Sequence, residues 1–210
     1  LQLSISNISM PQLLVSDQVY ATLTDRNLIQ PGDFDWVQPA ADDAAQVLLI
    51  SNDLLVAILA RTSVEDSEAT MHAWVDIVLA TTCTEAFRGR KRNKSGIGRP
   101  DFFVPVTASA VNVVVLCGED KLASETHKSH PRNELIQKTP WDDWKKFYGD
   151  LPYVFGYFAI GQQGQLLLQF GCLVHATRGF VPIGQQYDLA TPADRVHSFL
   201  FFLKLVPFLH

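Results

Sequence analysis

The sequence lacks what a disulfide scaffold or a zinc module would need. Its three cysteines, Cys83, Cys117 and Cys172, are odd in number and far apart, with no short spacing that would gather metal ligands. They lie in apolar surroundings, which fits buried free thiols in a reducing compartment. Long hydrophobic runs are missing as well. Near the C-terminal end the unbroken apolar run extends only from Phe199 to Leu203, with Lys204 and Pro207 after it, so no membrane span is expected. The first residues have no signal-peptide pattern, and the chain opens on Leu1, as a trimmed or processed piece would, with any targeting segment outside it. Disorder is not implied: 47% of the 210 residues are hydrophobic, enough for one sizeable domain or a domain with an added subdomain.

Acidic residues outnumber basic ones, 22 to 17. One stretch inverts that balance. Residues 88–99, RGRKRNKSGIGR, hold Arg88, Arg90, Lys91, Arg92, Lys94 and Arg99 and no acid. A loop rich in glycine and lysine does not pack in a core, and its charge is what a nucleic-acid backbone neutralises. A solvated loop, or a nuclear-import signal in RGRKR, are the competing readings.

Directly after this run come two apolar, β-branched stretches, 101–106 and 111–117, which read as strands buried on both faces. Charges bracket them: Asp101 opens the first, and Glu119-Asp120-Lys121 closes the second. Charge at the tip of a core strand is unfavourable unless it is used. Alternation puts Glu119 and Lys121 on one face and Asp120 on the other. If the strands pair antiparallel through a turn near 107–110, Asp101 comes level with Glu119, and two carboxylates and an ammonium converge. Facing carboxylates repel unless a hard divalent cation such as Mg²⁺ or Mn²⁺ lies between them, and a nearby lysine can orient water or offset charge on a phosphate. An ordinary strand entry and an ordinary polar turn are the plainer readings of the same residues.

The flanks are less specific. Residues 1–60 read as a mainly helical accessory segment, with a helix from Asp17, turn residues at Pro31-Gly32-Asp33 and an apolar helix over 44–60. Residues 63–87 form an expected helix on which Glu68, His72 and Asp76 share a stripe; a solvated face explains Glu68 equally well, and a partly buried structural role explains His72. After Lys121 the polar stretch 122–134 reads as a mobile loop whose His127, Lys128 and His130 could touch substrate. Thr139-Pro140 is expected to open a helix. Residues 153–160 and 166–174 read as a hairpin joined by GQQG. A buried helix begins at Thr191-Pro192, packed in the core or against a further domain.

The pattern Pro100-Asp101, hydrophobic strand, Glu119-Asp120-Lys121 resembles the PD-(D/E)-x-K nuclease superfamily. That resemblance implies a restriction-endonuclease-like α/β domain over residues 61–210, with a central mixed sheet flanked by helices. It also implies Mg²⁺ or Mn²⁺ held by Asp101 and Glu119, an extra carboxylate from the preceding helix at Glu68 (Glu65 in reserve), and Lys121 positioning water. Similarity to cap-snatching endonucleases implies a ligand or supporting role for His72. Over roughly 60–205, the order of helix, basic loop, Arg99-Pro100-Asp101-Phe102, strand and Gly118-Glu119-Asp120-Lys121 is similar to the nuclease-like domains of Crinkler effectors of oomycetes and fungi. This implies a secreted effector acting in a host cell, commonly in its nucleus, often followed by a kinase-like domain. The expected activity is metal-dependent hydrolysis of nucleic acid, DNA favoured over RNA. The alternative is an inactive module that binds a host protein or controls the kinase-like domain.

Overall fold

The computed structural model describes residues 13–15, 17–29, 37–39, 58–59, 91–92, 100–108, 111–122, 129–162 and 165–205. In chain order the elements are β1 (Leu13–Val15), α1 (Asp17–Asp25), β2 (Val37–Pro39), β3 (Lys91–Arg92), β4 (Phe102–Ala108) and β5 (Val111–Leu122). They continue with α2 (Pro131–Lys138), α3 (Trp144–Tyr148), β6 (Tyr153–Gln162), β7 (Gln165–Val174), β8 (Gly179–Asp188) and α4 (Pro192–Leu205). Strands β3 to β8 form one six-stranded sheet in sequence order. All neighbours are antiparallel except β5 and β6, which run parallel and are joined by the α2–α3 crossover. The chain is thus of α/β class with a mixed sheet, as expected.

Alternation along the strands sends side chains into two cores. Leu116, Phe155, Tyr157, Phe170 and Cys172 face α4 and α1, where Phe199, Leu200, Val19 and Leu23 are buried with them. Cys117, Val154, Phe158 and Leu173 face α2 and α3, against Leu135, Trp144 and Tyr148. Helices therefore cover both faces. Cys117 and Cys172 are buried free thiols, and burial holds both pKa values above the ordinary.

The N-terminal residues are part of this core. Val19, Leu23, Leu28, Ile29 and Ile58 share the cluster beneath α4. The expected helix from Asp17 is α1; the parallel pair β1–β2 was not foreseen, and most of the expected helix 44–60 and all of 63–87 lie outside the described residues. Arg195 of α4 is 2% exposed and donates to the carbonyls of Ile58, Leu59, Leu189 and Ala190. One buried guanidinium so ties the N-terminal segment to the C-terminal helix. Thr191 caps that helix by accepting the Asp194 N–H at 3.2 Å.

Two sequence readings are corrected, and one element without a sequence assignment is added. The polar stretch read as a loop to 134 turns helical at Pro131, with His130 as the cap and proline in the first turn. Thr139 does not open a helix but ends α2: its hydroxyl donates to the Leu135 carbonyl at 2.7 Å, and the next helix, α3, begins at Trp144. Residues 179–188, unassigned from sequence, form the edge strand β8. Among the described residues no helix is long and apolar enough to cross a membrane.

Candidate active site

The β4–β5 hairpin sets the site. Phe102 pairs with Gly118 and Phe103 with Cys117, so Asp101 lies one step beyond, opposite Glu119. The Asp101 N–H donates to Glu119 Oε2 at 3.3 Å. Farther along, the register slips between Val104 and Pro105, where a proline that cannot donate to the ladder meets an extra residue on β5. Gly118 is required at the near end. A Cβ there would fall 2.1 Å from Tyr157 Cε1, so its absence lets the Tyr157 ring cross the strand and its hydroxyl reach Asp120 Oδ2 at 3.5 Å. Asp120 is thereby on the opposite face from Glu119 and Lys121, as alternation requires.

Helix α2 completes the cluster. Leu135, fully buried, docks it on the α2–α3 face of the sheet and aims Glu134 and Lys138, one turn apart, at the end of β5. Lys121 pairs with Glu134. Lys138 pairs with Glu119 and also donates to Asp101 Oδ1 at 3.2 Å, with Glu134 Oε2 3.6 Å away. Three carboxylates and two ammonium groups thus form one chain of contacts, and the Lys138 charge sits between Asp101 and Glu119.

The electrostatics follow from burial. Glu119, whose side chain is 1% exposed, is pushed up to about 9 by burial and by the facing Asp101, against the pull of Lys138. Lys138 is held above its ordinary range: burial opposes its charge, but Glu119 and Asp101 outweigh burial. Glu134 is held below its ordinary range, because the bonds from Lys121 and Glu119 and the nearby ammonium groups outweigh its burial.

Of the residues singled out in the sequence, Asp101, Glu119 and Lys121 meet here. Glu68, His72, Arg88, Arg90, Lys94, Arg99, His127 and Lys128 lie outside the described residues. Lys91 and Arg92 form β3, paired with Phe103 and Phe102, so part of the basic run is an edge strand and not a free loop. His130 has a local role: its Nδ1 accepts the Arg132 N–H, and its ring packs edge-on against Phe158. Glu134 and Lys138 escaped the sequence reading; their four-residue spacing was the available signal.

The donor set fits a hard divalent cation in kind. Two carboxylates from adjacent strand ends already share one cationic group, and their oxygens are what Mg²⁺ or Mn²⁺ takes. Among the described residues no group of three or more His, Cys, Asp or Glu side chains is placed to hold a metal. Over a 107-residue alignment the chain is 31% identical to Crinkler effector protein 8 of Phytophthora infestans, covering 48% of this chain and 16% of that protein. The chain therefore spans about a sixth of the length of that relative. No protein-family model matches the chain, and no solved structure matches it.

Proposed function

We propose that this chain is a nuclease-like domain of a host-delivered effector. It has a PD-(D/E)-x-K core that hydrolyses phosphodiester bonds of nucleic acid, DNA before RNA, inside the host cell and in its nucleus. The observation that carries the reading is the meeting of Asp101 and Glu119 around one positive charge, with Lys121 two residues on along the same face. The mixed sheet with helices on both faces agrees with such a core, and the effector role draws on the similarity to Crinkler effector protein 8.

Asp101 and Glu119 would hold Mg²⁺ or Mn²⁺, with Glu68 as the further carboxylate. A bound cation supplies Lewis acidity at the scissile phosphate. Lys121, steadied by Glu134, positions the attacking water and faces the charge that develops on the phosphate. Two residues of the basic run, Lys91 and Arg92, form β3, and the pairing of Arg92 with the residue that follows Asp101 supports a role for this run in gripping the nucleic-acid backbone. Cleavage of supercoiled plasmid and of single-stranded DNA and RNA, in Mg²⁺, Mn²⁺ or EDTA, tests the reading. Metal-dependent cutting should be lost in Glu119→Ala and in Lys121→Ala, each about a hundredfold or more below wild type; undiminished cutting by either variant removes its assigned role.

A second reading has its own observation. Lys138 bridges both carboxylates without any metal, as an inactive module that binds a host protein or an attached kinase-like domain would allow. Such a module gains no thermal stability from Mn²⁺, whereas a metal site does by mass action.

A further inference from the structure

Lys138 occupies the place between Asp101 and Glu119 that a divalent cation would need. Its ammonium contacts both carboxylates, and an ammonium and a divalent cation do not share so small a space without strong repulsion. The same side chain has a second carboxylate in reach: Glu134, four residues earlier on α2, lies 3.6 Å from Lys138 Nζ. A lysine stem rotates freely enough to exchange these partners, and α2 itself is fixed by buried Leu135 and by the Thr139 bond. Lys121, which the motif would place on the reacting group, is engaged by the same Glu134. Glu134 is therefore the pivot shared by both ammonium groups.

We propose that Lys138 is a tethered counter-ion that closes the metal site, and that a divalent cation enters only as Lys138 moves from Asp101 and Glu119 toward Glu134. The proposal rests on the reading of Asp101 and Glu119 as metal ligands, and it concerns a positioning residue. Its consequence is a resting site that is closed to metal, opened by exchange of one cation for another. Metal affinity is then set by a lysine that is not a ligand.

The test is direct binding of Mn²⁺ to the full chain, followed by loss of the free-ion paramagnetic resonance signal and by titration calorimetry, with no substrate present. Lys138→Met should bind Mn²⁺ about tenfold or more tightly than wild type, because the competing charge is gone. Glu134→Gln should bind more weakly than wild type, because the displaced ammonium loses its second partner. Equal affinity in folded Lys138→Met and wild type overturns the exchange while leaving the metal reading intact. If Lys138→Met does not fold, the Glu134→Gln arm decides, and unchanged affinity there overturns the exchange. Failure of all three proteins to bind at millimolar Mn²⁺ overturns the metal reading and the exchange together. Binding by Lys138→Met alone supports the closed site and assigns the wild-type chain to the inactive module.

Discussion

Glu119 sits where the pattern of β5 calls for an apolar side chain, and its charge state follows from that placement. Unfolded, its carboxyl titrates near 4.5; folded, burial and Asp101 push it up to about 9. Between those values the folded chain keeps a proton that the unfolded chain has released, so without divalent metal the stability falls as pH rises across that window and levels off above it. Glu119→Gln stays neutral throughout and should remove this decline. Urea denaturation in EDTA at pH 5, 7 and 9 checks it, and parallel profiles for the two proteins would contradict the assignment. Asp101, Glu119 and Lys121 were legible in the sequence because a period of two and a hairpin register place strand residues with little freedom. Glu134 and Lys138 were not, because acidic and basic residues four apart in a polar run usually mark a solvated helix face.

Helix α2 shows why an element can hide. Pro131 and Leu135 are its buried residues, and Arg132, Asn133 and Gln137 are exposed, so PRNELIQK has too thin an apolar stripe to stand out from a loop. The cap-then-proline signal occurs twice, at His130-Pro131, where an uncommon histidine cap opens α2, and at Thr139-Pro140, whose commoner cap residue instead ends it. Edge strand β8 hid for a related reason: Pro182 demotes the run, and the register slips opposite it between Gln169 and Gly171. Leu135 is the fully buried apolar side chain of α2 in the α2–α3 core, so Leu135→Ala should destabilise the protein by about 2–5 kcal/mol. Hydrogen exchange should show protection falling first across α2, taking the Glu134 and Lys138 contacts with it. A loss spread evenly over the sheet would argue against α2 as a separately docked element.

At the scale of the whole molecule, the N-terminal residues and α4 are held together by one side chain. Arg195 serves four backbone carbonyls from two distant segments, and Arg195→Ala removes all four of these donated bonds at once. A loss of about 3 kcal/mol or more is expected from chemical denaturation, with limited proteolysis opening the chain first around Ile58 and Leu59. Cleavage elsewhere at the same rate would show that the clamp is dispensable. Strands β4 to β7 were legible from strand patterning and the mixed sheet was implied by the family resemblance, whereas this long-range tie was not legible, since a single arginine in a helix has no sequence sign of the carbonyls it will meet.

Glu119 also stands on the seam where the antiparallel halves of the sheet meet, with Asp101 beside it at the entry to β4. Strand β5 belongs to the β3–β5 meander and β6 to the β6–β8 meander, and their parallel pairing joins Leu116 to Phe155 across the whole α2–α3 crossover. Each meander closes short loops and can form early; the seam closes a long one and forms later. Until it does, Asp101 and Glu119 are adjacent like charges with Lys138 still undocked. The nascent hairpin is thus pushed apart by the same residues that the finished fold holds together. Completion of the crossover brings the Lys138 ammonium between the two carboxylates, so the charge that opposes the early hairpin is offset only in the finished fold.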